Sequence, residues 1–214
     1  MNIIREETFE IAVCRGATAD GCRFSALPIA GLASKLNDLI KASGWPALLS
    51  KIRSTTTRAH TRLRLSVAAC PNGCSRPHIV DFAFVAAMRP VLPQECTGCG
   101  ICLRSCPDQA LSIPAGAKAP ILDENLCLAC GRCIGVCPEG QTLCGPSGLR
   151  LLLGGRLGRR PRLAVEIPGI WHVCDVETLL SPLLSDLVAS YRPGQRIADI
   201  ILDRWPALIH KTFA

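Results

Sequence analysis

Eight cysteines fall into one register used twice: Cys96-x2-Cys99-x2-Cys102-x3-Cys106-Pro107, then Cys127-x2-Cys130-x2-Cys133-x3-Cys137-Pro138. No other feature of the 214 residues restricts the chain path so tightly. Three thiolates at this spacing converge from one tight loop and a fourth arrives from elsewhere, which is what a 4Fe-4S cubane requires. Gly98, Gly100 and Gly131 supply the backbone angles of such loops and let amide N–H groups approach sulfur. A pair of zinc sites would take its ligands in pairs, leaving the third cysteine of each triplet and each Cys-Pro without a task.

The segment resembles the bacterial two-cluster ferredoxins, whose use is to pass single electrons. In that family the fourth cysteine of each run crosses to the other cluster. The resemblance therefore implies Cys96, Cys99, Cys102 and Cys137 on one cubane, and Cys127, Cys130, Cys133 and Cys106 on the other.

Fourteen cysteines in a chain of this length admit two explanations, disulfides in an oxidising compartment or metal thiolates in a reducing one. The first residues include Glu6, Glu7 and Glu10 and no apolar export segment, and no stretch approaches the ~18 apolar residues of a membrane span. The expectation is a cytoplasmic metal-thiolate protein without a membrane span. With 49% hydrophobic and 19% charged residues, the chain buries a core and is not a charge-solvated coil. Its net charge of +7 would suit nucleic acid or an anionic surface. Three oxidised cubanes, each carrying roughly −2 with its thiolates, bring that sum to about +1. Aromatic residues are 4% of the chain and none interleaves the cluster Arg156, Arg159, Arg160, Arg162, so no nucleic-acid partner is expected.

The flanks of the double register read as one interrupted α/β (α+β) domain, residues 1–90 and 146–214, around an insertion at 91–145. Thr8 to Val13 alternates as a strand; Ser25 to Ser43 carries a helical stripe through Leu27, Ile29, Leu32, Leu36, Leu39 and Ile40, with Gly44 as its stop. Arg62 to Val67 and Ile79 to Ala86 read as strands, followed after the insertion by Leu149 to Leu153 and Arg162 to Ile167, joined by a glycine-rich turn. Val176 to Tyr191, with Asp175 as N-cap and Pro182 as an early interruption, and Ile197 to Ile209 read as helices. Helices should cover one face of the sheet.

Four more cysteines follow two of these strands, as Cys14-x7-Cys22 and Cys70-x3-Cys74, and loops at one end of a sheet could bring their thiolates together. Here the chain resembles the sulfite and nitrite reductases that couple siroheme to a 4Fe-4S cluster. The resemblance lies in Cys14-Arg15-Gly16 and Gly21-Cys22-Arg23-Phe24, then Cys70-Pro71-Asn72-Gly73-Cys74-Ser75-Arg76-Pro77 and Ile79-Val80-Asp81-Phe82, then the stretch from Gly148 to Ala164. A ferredoxin inserted between such parts is similar to the dissimilatory and anaerobic members.

The resemblance implies a sulfite-reductase-like sheet, a third cubane on Cys14, Cys22, Cys70 and Cys74, and siroheme iron sharing the Cys74 sulfur. Siroheme carboxylates would need arginines, for which Arg23, Arg62, Arg64, Arg76, Arg150 and Arg156 are candidates. Two departures are plain. The family usually places five residues between its first two cysteines, against seven here, and its sulfite-gripping basic residues lie upstream, where this chain has only Arg5 before Cys14. A partner chain or a second copy would then complete the pocket, and an electron-donor protein is implied.

The reading is an oxidoreductase in which two ferredoxin cubanes feed a third, and through it a siroheme that reduces sulfite or a similar oxyanion. Its alternatives are an electron-transfer subunit with no substrate site and a cluster-based sensor. Cys144 and Cys174 are left over and are expected as buried thiols, either able to replace Cys14 or Cys22. His60, His78, His172 and His210 read as structural or surface residues, with His78 alone placed as a candidate proton donor.

Overall fold

The computed structural model describes residues 1–52, 61–140 and 142–213, with backbone alone from 206 onward. Strands β1 (Asn2–Arg5), β2 (Phe9–Val13), β3 (Leu63–Ala68), β4 (Phe82–Val91), β7 (Leu143–Leu153) and β8 (Val165–Trp171) form one sheet, in the order β1-β2-β3-β4-β7-β8. The pairs β2–β3 and β3–β4 are parallel; the others are antiparallel.

Period-two alternation decides the two faces. Phe9, Ile11 and Val13, Leu63, Leu65 and Val67, Phe82 and Phe84, and Leu149, Leu151 and Leu153 share one large buried cluster with the helices. Those helices are α1 (Leu32–Ala42), α2 (Trp45–Ile52), α4 (Val176–Ser190) and α5 (Ile197–Phe213). Trp45 locks the layers, donating its indole N–H to the Thr8 carbonyl at 3.1 Å and meeting Tyr191 edge-on at 5.1 Å. On the opposite face a smaller cluster of Ala68, Val80, Ala83, Val85 and Leu152 is covered by the chain between β3 and β4 and by Ala164. The fold class is therefore the expected one, a mixed α/β sheet with helices on one face.

Several local expectations are corrected. The helix expected from Ser25 begins at Leu32, after Pro28 and the left-handed Gly31, because the preceding residues fold back and the Ala26 N–H donates to the Ala69 carbonyl at 2.7 Å. Its stop at Gly44 holds, with φ 83°. β1 and α2 had no counterpart in the sequence reading. Ile79 lies in a 3-10 turn, so β4 starts at Phe82. Asp175 makes no side-chain cap, since a 3-10 turn over Val173–Asp175 already leads into α4. That helix runs on through Pro182, held by the buried Leu179, Leu180, Leu183, Leu184 and Leu187.

The double register occupies the connection between the antiparallel neighbours β4 and β7, residues 92–142. Strand pairing reaches closer to it than expected, as far as Val91 opposite Leu143, with a bulge between Met88 and Pro90 where proline has no N–H to give the ladder. The connection holds α3 (Ile101–Ser105) and the two-stranded β5 (Leu111–Ser112) with β6 (Ile121–Leu122).

Candidate metal centre

Parallel pairing fixes the outer cysteines at one end of the sheet. Val13 stands opposite Val67, so the chain leaves β2 at Cys14 beside the exit of β3 toward Cys70. The Cys14 N–H donates to the Val67 carbonyl at 3.0 Å, and the Ala69 N–H donates to Cys14 Sγ at 3.1 Å. The seven-residue spacer is taken up by a 3-10 turn, Arg15–Ala17, and a turn closed from Gly21 N–H to the Thr18 carbonyl. These return Cys22 to the site. Cys14, Cys22 and Cys74 all lie close enough to Cys70 to push its thiol pKa up, an effect secondary to burial.

Hydrogen-bond donors to sulfur stand at this site. The Asn72 side-chain amide donates to Cys74 Sγ at 3.1 Å, and the Phe24 amide, aided by Arg15, holds the Cys22 thiol below its ordinary range. Such donors stabilise thiolate and tune a bound centre. Cys14 is buried, whereas Cys74 is exposed.

Within the 92–142 connection, Cys96, Cys99, Cys102 and Cys137 line one cavity together with Gly100, Ile113 and Pro138. Cys106, Cys127, Cys130 and Cys133 line a second with Leu111, Leu122 and Gly131. The grouping is the crossed one, with the fourth cysteine of each run in the other run's cavity. The two loops repeat in backbone as in sequence: Gly98 (φ 74°) corresponds to Ala129 (φ 54°), and Gly100 (φ 69°) to Gly131 (φ 72°). Gly98 N–H donates to Cys96 Sγ and Ala129 N–H to Cys127 Sγ, each at 3.4 Å.

Burial raises the Cys102 and Cys127 thiols, and burial with the neighbouring Cys130, Cys127 and Cys106 pushes Cys133 up to about 11. Four cysteines lining each cavity, with backbone N–H groups donating to the Cys96, Cys106 and Cys127 sulfurs, are a donor set that fits an iron–sulfur cluster. All fourteen cysteines are free of disulfides. Among the described residues no three or more His, Cys, Asp or Glu form a group suited to a single metal ion.

The second cavity faces the sheet. Met88 N–H donates to the Ala129 carbonyl at 2.7 Å, Met88 and Cys130 form an isolated bridge, and Arg150 donates to the Leu128 carbonyl at 3.4 Å. One cleft is lined by Cys70, Pro71 and Asn72 on one side and by Leu128, Cys130 and Arg132 on the other. The outer cysteine site thus adjoins the Cys106/Cys127/Cys130/Cys133 cavity.

The candidate arginines separate. Arg64 pairs with Asp81 at 3.6 Å, and the Asp81 carboxylate also accepts the Arg64 N–H at 2.8 Å. Arg150 is paired with Glu166, and Arg156 with Asp199 on α5, where Arg162 joins it at 2.9 Å. Arg62 meets Glu10 at 3.8 Å. Arg23 and Arg76 have no carboxylate partner among the described residues. Cys144 and Cys174, expected buried, are both exposed: Cys144 lies beyond the bulge opposite Pro90, and Cys174 in the turn before α4. His78 and His172 are exposed; His60 and the His210 side chain lie outside the described residues. Phe24 and Met88, which join the two cysteine regions, carried no sequence signal of that role.

The cysteine sets are those of an iron–sulfur protein, and the sheet that carries them is similar in fold to a dissimilatory sulfite reductase. Residues 95–141 match the family model described as a 4Fe-4S dicluster domain. Over 53 residues the chain is 34% identical to the coenzyme F420-dependent sulfite reductase of Methanocaldococcus jannaschii, covering 24% of this chain and 8% of that protein. Across 96% of its length it shares the fold of dissimilatory sulfite reductase I, with TM-score 0.52 and 13% identity, and spans 52% of that chain. It is also similar to the Mycobacterium tuberculosis NirA protein, with TM-score 0.48 and 16% identity over 92% of this chain and 26% of that one. Among the described residues no helix is long and apolar enough to cross a membrane.

Proposed function

We propose that the chain is the iron–sulfur portion of a sulfite/nitrite reductase-type oxidoreductase, with residues 91–145 as an electron-relay module inserted in an outer domain of residues 1–90 and 146–214. Cys96, Cys99, Cys102 and Cys137 hold one cubane, Cys127, Cys130, Cys133 and Cys106 a second, and Cys14, Cys22, Cys70 and Cys74 a third. Bound there, the clusters would supply single-electron transfer, and a siroheme held at Cys74 would supply the iron chemistry for reduction of sulfite or a similar oxyanion.

One observation carries this reading: Cys70 and Cys130 line the same cleft. It supports an order of the sites, with the Cys96 set distal, the Cys127 set next and the outer set last. Burial of Cys102, Cys133 and Cys14 keeps water from the sulfurs, while backbone amides donate hydrogen bonds to the sulfurs of Cys14, Cys70, Cys96, Cys106 and Cys127. The exposed Cys74, with Arg76 two residues on and without a carboxylate partner among the described residues, leaves a tetrapyrrole carboxylate a place to bind. An electron-donor protein feeds the distal site, and a second subunit or a second copy completes the substrate pocket.

A second reading, an electron-transfer subunit with no substrate site, is favoured by the engagement of Arg64, Arg150 and Arg156 with the chain's own carboxylates. Anaerobic purification with iron and sulfide counts and a visible spectrum separates the two. One iron beyond about twelve, with a tetrapyrrole band, supports the reductase, whereas about twelve without that band supports the relay alone. About eight would remove the third cubane from either reading.

A further inference from the structure

We infer that Phe24 is the positioning residue that sets the outer cysteine site against the relay module, through its ring contact with the Arg132 guanidinium. The inference rests on the relay reading above and names the contact that fixes the approach of the two sites.

The argument begins with an oddity of burial. Phe24 is 42% exposed, so core packing does not account for its position. Instead its ring carries two guanidinium groups, Arg23 at 4.6 Å and Arg132 at 5.4 Å from the centroid. Arg132 has no carboxylate partner among the described residues, and its guanidinium stands over the ring. The negative face of an aromatic ring holds a guanidinium without neutralising it, so the contact leaves positive charge between two sets of thiolates.

The covalent neighbours of the pair give it its effect. Phe24 is two residues beyond Cys22, on the loop that also carries Cys14, and Arg132 immediately precedes Cys133. The rest of the module's inner loop is tied to β4 and β7: the Leu128 carbonyl to Arg150, the Ala129 carbonyl to Met88, and Gly131 so close over Met88 that an added Cβ would stand 3.1 Å from its sulfur. The Arg132 contact differs in reaching the loop that holds the outer cysteines. Phe24, Cys130 and Arg132 line both clefts at this junction, one of which also contains Cys70. A shift of the ring therefore moves the Cys22 loop relative to Cys130 and Cys133 while every thiol keeps its covalent place.

The test compares the full chain, purified anaerobically, with Phe24→Leu, which keeps apolar bulk and removes the π-face, and Phe24→Trp, which restores that face. Hydrogen exchange is followed over residues 128–132, iron and sulfide are counted, and electron transfer into the outer centre is timed after rapid reduction. Phe24→Leu should speed exchange by about fivefold, the change in open population that one exposed cation–π contact supports. It should also slow transfer with iron content unchanged, and Phe24→Trp should return both rates toward the parent. Parental exchange and transfer in Phe24→Leu would overturn the inference, as would equal loss of outer iron in both variants, which would make Phe24 a structural part of that loop. Absence of iron from the parent protein would instead remove the relay reading, while the exchange comparison would still decide whether the contact positions the two loops.

Discussion

Gly16 gives the sharpest test of how the outer cysteine site is built. It lies between Cys14 and Cys22, and a Cβ added there would stand 2.5 Å from Ser25 Oγ, 2.9 Å from Ala69 Cβ and 3.1 Å from Cys22 Cβ. Carbon atoms reach optimal contact at about 3.5–4.0 Å, so Gly16→Ala overlaps Ala69 by roughly 0.6 Å or more. Ser25 can turn its hydroxyl away, giving up its 3.4 Å bond to the Gly16 carbonyl. Neither Ala69 nor Cys22 has that freedom, because a Cβ is fixed by its backbone. The Cys14–Cys22 loop must therefore lift from the end of β3, at an overpacking cost of about 1–3 kcal/mol. Lifting pulls the Cys22 sulfur from its place, while the cysteine sets of the 92–142 connection keep their own loops. The expected result is a fall from about twelve to about eight irons per chain, with the module spectrum retained. A variant that keeps every iron would show that the outer loop is loose enough to absorb a methyl, and one that loses the module irons too would show that the sites do not assemble independently.

Three further outcomes are expected. Ala129 holds a left-handed conformation that Gly98 holds in the sister loop, and such a conformation costs a non-glycine residue ~1–2 kcal/mol. Ala129→Gly should therefore raise the chain's thermal midpoint by roughly 2–4 °C per kcal/mol recovered; a fall would refute the strain. Burial, opposed by Arg64, pushes the Asp81 carboxyl up to about 6. The folded state then binds the proton more tightly than the unfolded one between about pH 4 and 6, so this carboxyl's contribution to stability declines as pH rises through that window and levels above it. Asp81→Asn should abolish that slope, and denaturant midpoints for both proteins at about pH 5 and about pH 7 would show it. Cys74→Ser should remove any tetrapyrrole absorption while sparing the eight module irons, whereas Cys130→Ser should slow electron supply and leave that absorption, each read from the visible spectrum and an iron count.

The cysteine spacing alone made the module legible, because three thiolates and a glycine in a fixed register leave one local chain path, and the crossed sets line its two cavities. The outer sheet was legible where period-two alternation was strict, as in Leu63, Leu65 and Val67. It failed where tertiary contacts overrode local pattern. Ser25 to Leu27 have helical spacing yet serve as a brace for Ala69, and Cys144 and Cys174 are apolar by type but sit exposed, one at the start of β7 and the other in the turn before α4. Arginine roles were the least legible, since the carboxylates that claim them are distant in sequence: Asp199 stands 43 residues from Arg156 and 37 from Arg162. The Phe24–Arg132 contact, too, depends on the module folding back over the loop that follows β2.

The unequal cores on the two sides of the chain lead to a final expectation about what iron does for the fold. The sheet and its helices share a cluster running from Phe9 to Trp205, ample for a domain of this size. The 92–142 connection has, among the described residues, a buried apolar cluster of Cys102, Leu111 and Cys133, with only part-buried neighbours such as Leu103, Leu122 and Ile134 around it. Two of those three residues are themselves proposed ligands. A segment of about 50 residues cannot offset its chain entropy with so little burial, so metal–thiolate bonds must supply the difference. Deprotonating Cys102, Cys127 and Cys133, whose thiols burial raises, releases protons as iron binds, so loading should strengthen with pH. Removing iron by oxidation and chelation should accordingly melt residues 92–142, seen as lost exchange protection and new protease sites there. Strands β2, β3 and β4 should stay protected. If the module instead keeps its protection without iron, the cavities lined by cysteine are stabilised by packing after all, and the iron–sulfur assignment would lose its structural argument.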